Sequence, residues 1–332
     1  MDLLRDVALN FVRVTEVAAL RASRKLGMAD KNAADKAATD GMRGMLDMMD
    51  VRGTIINGEG VKDKAPMLFI GEKVGNWDDP ANPELDISVD PIDGTRLVAN
   101  GQANALAIIA AGAKGSMSFL PTFYVRKLSY GPRLIGCLDI DSSVRENLKI
   151  ASIRLDKPIR DLTIAVLDRP RHHDLIAEIR QVGARIKLIG DGDVAASITT
   201  CMESDKIDLY MGVGGGPEAV ITAAAMRGLG GDIQVKLYAK DEAERAAAEA
   251  AGYDMDRVYF AEDLARGDDL IFACTGITDG ELLPGIRYTG QKATSYSIVT
   301  RSKTRTVRYI QAQHDLKVKT IPSKEKSMEE IV

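Results

Sequence analysis

The sequence predicts a layered α/β protein of the α+β kind, on three observations. Two segments with apolar residues at helical spacing open the chain, short β-rich runs follow, and β–α alternation then takes over. The opening helices are predicted from Leu3 to Leu26 and from Ala33 to Met49, joined by a polar turn at 27–32. A core made by helices packed on sheets is therefore expected.

The β-rich runs are short and bounded by Gly, Pro or Asn, as strands usually are. The predicted strands of this part of the chain are Thr54–Asn57, Met67–Ile70, Leu85–Val89 and Ala105–Ala111. Three of them lead into a carboxylate within a residue or two. Strand ends that carry acids are therefore the first place to look for chemistry.

The second half of the chain alternates buried strands with helices. The predicted strands are Leu162–Leu167, Ile186–Ile189 and Ile207–Met211, and the helices that follow them are His172–Val182, Asp193–Glu203 and Pro217–Arg227. The later elements are a surface helix at Asp241–Ala251, a strand at Asp269–Cys274 and antiparallel strands from Ile286 to Ala312. The change of pattern predicts subdomains at 1–155 and 156–320, and a frayed tail at 321–332.

Composition narrows the class of function. The 332 residues have a formal net charge of −4 and are 45% hydrophobic, so a sizeable core is expected and neither nucleic acid nor an anionic membrane is predicted as a partner. The longest apolar run, Ala103 to Ala113, is shorter than the ~20 residues of a membrane helix. Three widely spaced cysteines, Cys137, Cys201 and Cys274, are predicted to be reduced core residues of a cytoplasmic protein.

Two acidic motifs follow predicted strands. In Asn57-Gly58-Glu59-Gly60 the glycines let the backbone turn so that Glu59 points into a site, and Asp90-Pro91-Ile92-Asp93-Gly94-Thr95 places two carboxylates one turn apart. Carboxylates ~4 Å apart repel by about 4 kcal/mol at an effective dielectric of ~20, which favours a role around cations. Oxygen ligands alone indicate Mg²⁺ or Mn²⁺. The alternative is a turn in which Asp93 caps a helix.

A third motif is rich in glycine. Gly212-Val213-Gly214-Gly215-Gly216-Pro217-Glu218 follows a predicted strand and precedes an Ala-rich helix. Pro217 suits the first helical position, and an acid in the first turn interacts favourably with the helix dipole. So many glycines also indicate that another group approaches the backbone closely.

Together these residues resemble the class II fructose-1,6-bisphosphatases, the glpX-encoded type, within the lithium-sensitive sugar and inositol phosphatase superfamily. The resemblance spans almost the whole chain. The further segments that carry it are 30–35 (DKNAAD), 65–73 (APMLFIGEK), 169–172 (RPRH), 191–196 (DGDVAA) and 273–278 (ACTGIT). It implies an αβαβα sugar-phosphatase fold, with a metal- and phosphate-binding first subdomain and a substrate-binding second one.

The resemblance also implies roles for individual residues. The family's metal ligands fall on Asp35, Glu59, Asp90, Asp93 and Glu218. Its catalytic positions fall on Thr95, Asp35, Asp63 and Lys31. Its substrate contacts fall on Asp93, Gly94, Thr95, Tyr124, Arg169, Pro170, Arg171, Asp191, Gly192, Asp193 and Gly215.

The activity that the resemblance implies is hydrolysis of the 1-phosphate of fructose 1,6-bisphosphate in gluconeogenesis. It implies two or more Mn²⁺ or Mg²⁺ ions per site, a homodimer or homotetramer, and metal-activated water as the attacking group. Four positions depart from the family's usual pattern: Val61 replaces an acid, Asp93 stands where Glu is common, Gly216 replaces Ala, and Ala219 replaces Gly. The metal preference is therefore left open.

Other functions remain as alternatives. They are a dual fructose-1,6-/sedoheptulose-1,7-bisphosphatase, an inositol-type monophosphatase and a non-catalytic sugar-phosphate sensor. Gly190 to Ala195 fits a dinucleotide-binding loop, although its two aspartates would repel a pyrophosphate. Asp139 opens a segment similar to the nucleophile motif of haloacid-dehalogenase-type phosphatases. The histidines, His172, His173 and His314, are predicted to be surface residues.

Overall fold

The computed structural model describes residues 3–58, 67–202, 206–321 and 329–330. The chain divides into two compact units. Residues 1–117 and 267–332 form the terminal unit, and residues 118–266 form the central unit. The boundary that the sequence pattern suggests, at 155/156, falls inside the central unit, at the end of a helix whose residues share that unit's core.

The helices and strands are numbered along the chain. The helices are α1 (Leu3–Ser23), α2 (Lys31–Leu46), α3 (Thr95–Ala99), α4 (Val144–Leu155), α5 (His173–Val182), α6 (Val194–Thr199), α7 (Gly216–Leu229), α8 (Glu242–Ala250) and α9 (Ala261–Leu264). The strands are β1 (Arg52–Asn57), β2 (Lys73–Gly75), β3 (Glu84–Asp93), β4 (Leu106–Ala113), β5 (Tyr124–Tyr130), β6 (Thr163–Leu167), β7 (Arg185–Ile189), β8 (Leu209–Gly215), β9 (Asp232–Tyr238), β10 (Leu270–Gly276), β11 (Arg287–Thr289), β12 (Lys292–Arg301), β13 (Thr306–Asp315), β14 (Thr320–Ile321) and β15 (Glu329–Glu330).

The terminal unit contains a mixed sheet with the order β11-β12-β10-β4-β3-β1-β2, and β13 pairs with β12. The β1–β3 pair is parallel, and the other pairs of this sheet are antiparallel. Helices α1 and α2 pack on one another and on the sheet, where Phe11, Met42 and Leu46 join Ile87 and Ile109 in one buried cluster. This packing holds α2, which carries the predicted ligand Asp35, and β3, which carries Asp90 and Asp93.

The central unit contains a second mixed sheet, with the order β7-β6-β8-β5-β9. Strands β7, β6 and β8 are parallel, whereas β5 is antiparallel to both β8 and β9. Helix α4 begins with a capping box formed by Ser143 and Glu146, and its apolar face packs with α5 against this sheet. The mixed α/β class predicted from the sequence is confirmed by these two sheets and their helices.

The apolar run Met67–Ile70 does not form the predicted strand, so that prediction is wrong. Leu68 has a left-handed backbone with φ of 56°, and its N–H donates to the buried carboxylate of Glu72. Arg43 pairs with the same carboxylate at 2.7 Å. The chain therefore wraps around a buried ion pair here, which takes the place of a ladder of strand hydrogen bonds.

Several elements depart from the predicted positions. Strands β5 and β9 and helix α4 were not predicted, and β8 continues to Gly215, four residues past the predicted end at Met211. In the segment predicted to fray, β14 and β15 pair as a two-stranded antiparallel sheet. Within the described residues, no helix has the length and apolar character needed to cross a membrane.

The prediction that the cysteines are core residues is correct for Cys274 only. Cys274 is buried, whereas Cys137 and Cys201 are partly exposed, and all three are free thiols. Burial raises the pKa of Cys201 and of Cys274 to about 12. Because the thiolate is the reactive form, neither of these two cysteines is suited to be a nucleophile.

Two of the three histidines are buried, so the prediction that all lie at the surface is wrong for them. His314 lies in a buried polar chain in which Lys319 Nζ is 2.8 Å from Nδ1 and Ser295 Oγ is 2.8 Å from Nε2. Ser295 also donates to Glu16 at 3.0 Å, and burial lowers the pKa of His314 to about 4. His172 is buried in the central unit, and only His173 is exposed.

Candidate active site

The end of β3 forms the acidic turn predicted from the sequence. Asp90 pairs with Ile108 and Asp93 with Leu106, so three residue steps on β3 match two on β4 and the strand bulges. The Asp90 carboxylate accepts the N–H of Ile92 at 2.9 Å, which fixes the turn. Asp93 is 3% exposed and follows one turn later.

Gly94 makes the change from strand to helix possible. Its φ is 96°, a conformation that favours glycine, and an added Cβ would lie 2.7 Å from Leu97 Cδ1. Gly94 is the N-cap residue of α3, so the alternative in which Asp93 caps the helix is wrong. The first residue of α3 is Thr95, which is partly exposed and whose hydroxyl donates to Ile92 O over 3.3 Å.

Helix α2 brings two further predicted residues to the same unit. Its N-cap, Asp30, accepts the N–H of Ala33 at 2.9 Å, so the helix begins with the exposed Lys31 and carries the partly buried Asp35 one turn later. The loop before it is hydrogen-bonded to α3, since Gly27 N–H and Ala29 N–H donate to the last carbonyls of that helix, each at 2.9 Å. The start of α2 and the acidic turn of β3 are thereby tied together.

Two predicted site residues, Glu59 and Asp63, lie outside the described residues. Across the described ranges, no group of three or more His, Cys, Asp or Glu side chains is placed to hold a metal ion. In the terminal unit, the predicted ligands that the structure describes are Asp35, Asp90 and Asp93.

Glu218 is the predicted metal ligand of the central unit. Strand β8 ends at Gly215, and Glu218 lies in the first turn of α7, as predicted. Its Oε2 atom is buried and has no hydrogen-bond partner within the described part of the chain. Burial raises the pKa of this carboxyl. A cation fits this donor, because an ionised carboxylate oxygen that is buried and unpaired is costly.

The glycines of β8 admit polar side chains against the backbone. A Cβ at Gly215 would lie 1.9 Å from Glu218 Oε2, and a Cβ at Gly214 would lie 1.9 Å from Asp193 Oδ2. The many glycines of this motif predict that some group lies close to the backbone. In the structure, the carboxylates of Glu218 and Asp193 lie there.

Asp193 is the acceptor of a buried charged cluster. Lys127 Nζ, from β5, lies 2.9 and 2.8 Å from its two carboxylate oxygens, and the Tyr210 hydroxyl donates to Oδ2 at 3.0 Å. The side chains of Lys127 and Asp193 are 0% and 4% exposed. Because Asp193 is the N-cap residue of α6, this cluster anchors the loop that precedes that helix.

The two arginines predicted to contact substrate are already held by the protein. Arg169 donates to Gly190 O at 2.6 Å and to Asp191 Oδ1 at 2.7 Å. Arg171 lies over the ring of Tyr124, 4.9 Å from its centroid, and donates twice to Val213 O, at 3.1 and 2.8 Å. These contacts bring the 169–171 turn to the loop at 190–193 and to β8.

Pro170 and Gly192 complete the predicted substrate contacts of the central unit. Pro170 is exposed and starts a 3-10 turn over Pro170–His172, and Gly192 has a left-handed φ of 65°. The structure thus places the central unit's predicted contacts, from Tyr124 through Gly215, on one sheet and the loops at its strand ends.

Comparison with known proteins decides the family. The sequence model described as "Bacterial fructose-1,6-bisphosphatase, glpX-encoded" matches residues 5–314. The chain belongs to this family. It is 45% identical over 325 residues to fructose-1,6-bisphosphatase 1 class 2 of Escherichia coli strain K12, covering 94% of this chain and 96% of that protein. Proteins named fructose-1,6-bisphosphatase class 2 from Escherichia coli O6:H1 and Shigella flexneri match with the same identity and coverage.

Membership of the fructose-1,6-bisphosphatase family agrees with how the structure resolves the two competing motifs. Asp139 does not lie at a strand end. It lies in a turn after β5, and its Oδ1 accepts the N–H of Asp141 at 2.9 Å. The Gly190–Ala195 loop does join a strand to a helix, but its acids are engaged with Arg169 and Lys127. Asp139 therefore lacks the strand-end position of a haloacid-dehalogenase nucleophile, and two acids of the 190–195 loop are ion-paired within the protein.

Sequence reasoning missed two residues of this family member's candidate site. Lys127 was not predicted as a site residue, because a lysine in a basic stretch without an assigned element is expected to be exposed. His172 was predicted to lie at the surface, yet it is only 1% exposed. Its ring packs against β8, where it accepts the N–H of Val213. The one sequence signal for either residue is that His172 follows directly on the Arg-Pro-Arg segment.

Proposed function

We propose that this chain hydrolyses the 1-phosphate of fructose 1,6-bisphosphate, giving fructose 6-phosphate and phosphate, by attack of a metal-activated water. The observation that carries the proposal is the 45% identity over 94% of the chain to a class 2 fructose-1,6-bisphosphatase, with the family match over residues 5–314. The reaction belongs to gluconeogenesis, in which a sugar bisphosphate is the substrate. The activity corresponds to EC 3.1.3.11.

The proposed metal ligands are five carboxylates, those of Asp35, Glu59, Asp90, Asp93 and Glu218. Divalent Mg²⁺ or Mn²⁺, when bound, would neutralise phosphate charge and lower the pKa of a bound water. The buried, unpartnered Oε2 of Glu218 supports this assignment, since it is a hard oxygen donor without a protein partner in the described residues.

The residues of the β3–α3 turn act on the reacting phosphate. Thr95, at the first position of α3, positions the attacking water through its hydroxyl, and Asp35 orients that hydroxyl as a hydrogen-bond acceptor. Gly94 contacts the phosphate through its backbone N–H at the start of α3. Lys31 and Asp63 are proposed to act near the same centre.

The central unit carries the proposed contacts with the sugar and with its remote phosphate. Arg169, Arg171 and Tyr124 bind the remote phosphate, because a guanidinium fork matches phosphate oxygens in charge and geometry. Asp191, Gly192, Asp193 and Gly215 line the sugar. The support for this assignment is that these residues lie on adjoining strand ends of one sheet. A homodimer or homotetramer and a cytoplasmic location, where sugar bisphosphates are metabolised, complete the proposal.

A phosphate-release assay tests the proposed function. Fructose 1,6-bisphosphate, sedoheptulose 1,7-bisphosphate, fructose 6-phosphate and inositol monophosphate are compared with Mg²⁺, with Mn²⁺ and with a chelator. We expect release from fructose 1,6-bisphosphate only when metal is present, and little from either monophosphate. Faster release from inositol monophosphate would favour the inositol-type alternative, and binding of sugar phosphate without release would favour a sensor.

Glu218→Gln is expected to raise the metal concentration for half-maximal activity by at least about tenfold, since loss of even an outer-shell partner costs ~10–100-fold in metal affinity. Without metal, the unfolding temperature of the variant should equal or exceed that of the wild type, because burial disfavours the carboxylate that is removed. The shift of that temperature on adding Mn²⁺ should shrink.

The matched control is Glu242→Gln, which changes an exposed glutamate in the first turn of α8. If Glu218 only stabilised the dipole of α7, both variants would leave the metal requirement unchanged. That result would remove Glu218 from the ligand set.

A further inference from the structure

The pairing between β6 and β8 stops early. The two parallel strands pair at Ile164–Leu209 and Ala165–Tyr210, and β8 then continues to Gly215. Strand β6 ends at Leu167, and the chain then enters the 3-10 turn Pro170–His172. The edge of β8 beside the turn therefore needs hydrogen-bond partners from elsewhere.

Side chains of that turn take over from the missing strand. The N–H of Val213 donates to His172 Nε2 at 2.7 Å, and the carbonyl of Val213 accepts both bonds from Arg171. Two consecutive residues thus hold the N–H and the C=O of a single residue of β8. Arg171, a proposed phosphate contact, is thereby hydrogen-bonded to β8.

The tautomer of His172 follows from its second contact. Nδ1 lies 2.7 Å from Leu167 O, and because a carbonyl oxygen only accepts, Nδ1 carries the proton. Nε2 is then the acceptor that the Val213 N–H requires. The neutral ring links the end of β6 to β8. Burial lowers the pKa of His172, which also favours the neutral ring.

The backbone of β8 is shaped to receive this ring. A Cβ at Gly212 would lie 3.1 Å from His172 Nε2 and 3.5 Å from the Tyr210 hydroxyl. Glycine at this position leaves room for the imidazole directly beside the strand. His172 is 1% exposed, so its ring is shielded from solvent and from a ligand in solution.

We propose that His172 is a positioning residue for the proposed sugar-phosphate subsite, acting through its bond to Val213. It holds the turn that carries Arg169 and Arg171 at a fixed place on β8 without itself contacting substrate. The inference rests on the proposed function for the identity of the ligand. The bond to Val213 matters more than the bond to Leu167, because a buried N–H without a partner is tolerated less well than an under-satisfied carbonyl.

Two amide variants separate the two bonds. His172→Gln places an oxygen near the position of Nε2 and can keep the acceptor for Val213 N–H, whereas His172→Asn places an amide N–H near Nδ1 and can keep only the bond to Leu167. We expect the Asn variant to raise KM for fructose 1,6-bisphosphate by about tenfold, the usual scale for an unmade buried hydrogen bond, with kcat within about threefold. The Gln variant should stay within about threefold of wild-type KM on the same scale.

The control variant is His173→Gln, at the exposed neighbouring histidine, which should leave both constants unchanged. Equal KM values for the Gln and Asn variants, or a folded Asn variant with wild-type KM, would overturn the inference. The shift of the unfolding temperature on adding fructose 6-phosphate measures binding at the same subsite without catalysis. If the wild type bound fructose 6-phosphate but released no phosphate from the bisphosphate, the proposed function would fail while this inference could still be decided.

One measurement needs no variant and so does not depend on variant folding. Hydrogen exchange of the 209–215 segment in the wild type should slow when fructose 6-phosphate is added, since binding at the arginines fixes the turn that holds Val213. Unchanged exchange at saturating fructose 6-phosphate would contradict the proposed coupling.

Discussion

Thr95→Ala lowers kcat by about a hundredfold to a thousandfold in the expected outcome, the range seen when one positioned hydrogen-bonding group is removed from an active site. The fold should survive, because the hydroxyl is partly exposed and makes only a long bond of 3.3 Å to Ile92 O. The bulge at Asp90–Asp93 and the left-handed Gly94 place this hydroxyl, and neither depends on it. Initial rates of phosphate release at saturating metal measure the effect.

The matched variant is Thr95→Ser, which keeps the hydroxyl and removes only a methyl group. We expect Thr95→Ser to retain most of the wild-type kcat, and both variants to unfold at the wild-type temperature. Near-normal turnover by the Ala variant would exclude Thr95 from the reaction, and equal losses in the two variants would point to packing of the methyl group.

The second large effect concerns stability. Lys127→Met should cost about 3–5 kcal/mol of unfolding free energy, because it leaves the carboxylate of Asp193 buried without its cation. The pair is enclosed, with side-chain exposures of 0% and 4%. The Tyr210 hydroxyl also donates to Asp193, but a hydroxyl group brings no positive charge to replace that of the lysine. Urea unfolding of the purified chain measures the loss.

Two further variants make this result specific. Lys236→Met removes a lysine from the adjacent strand, β9, whose partner Asp141 is 45% exposed, and it should cost no more than about 1 kcal/mol. Lys127→Met combined with Asp193→Asn removes both buried charges and should be more stable than Lys127→Met alone. A loss below about 1 kcal/mol for Lys127→Met would show that Asp193 is not held as a charged partner.

The acidic turn could be predicted from sequence because each of its features is local. Asp90, Gly94 and Thr95 act through a strand end, a left-handed glycine and a helix start, and the sequence signals for these lie within six residues. The position of Glu218 was predictable for the same reason, since Pro217 marks the helix start. The family resemblance supplied the substrate, which no single motif contains.

The residues that were missed depend on partners far along the chain. The burial of Lys127 becomes understandable only with Asp193, which is 66 residues away, and that of His172 only with Val213, 41 residues away. A basic strand such as β5 looks like a surface loop until its ion-pair partner is known. Likewise, β8 continues through glycines that weaken a strand, because polar side chains from other elements fill the space beside them.

The central claim is hydrolysis at the 1-position, and phosphorus NMR of fructose 1,6-bisphosphate tests it most directly. The substrate is incubated with the purified chain and Mg²⁺ or Mn²⁺, and samples are quenched with a chelator before spectra are taken. The signal of the C1 phosphate should disappear as inorganic phosphate grows, while the C6 phosphate signal is retained as that of fructose 6-phosphate. Loss of the C6 phosphate, or an unchanged spectrum with either metal at saturation, would contradict the account.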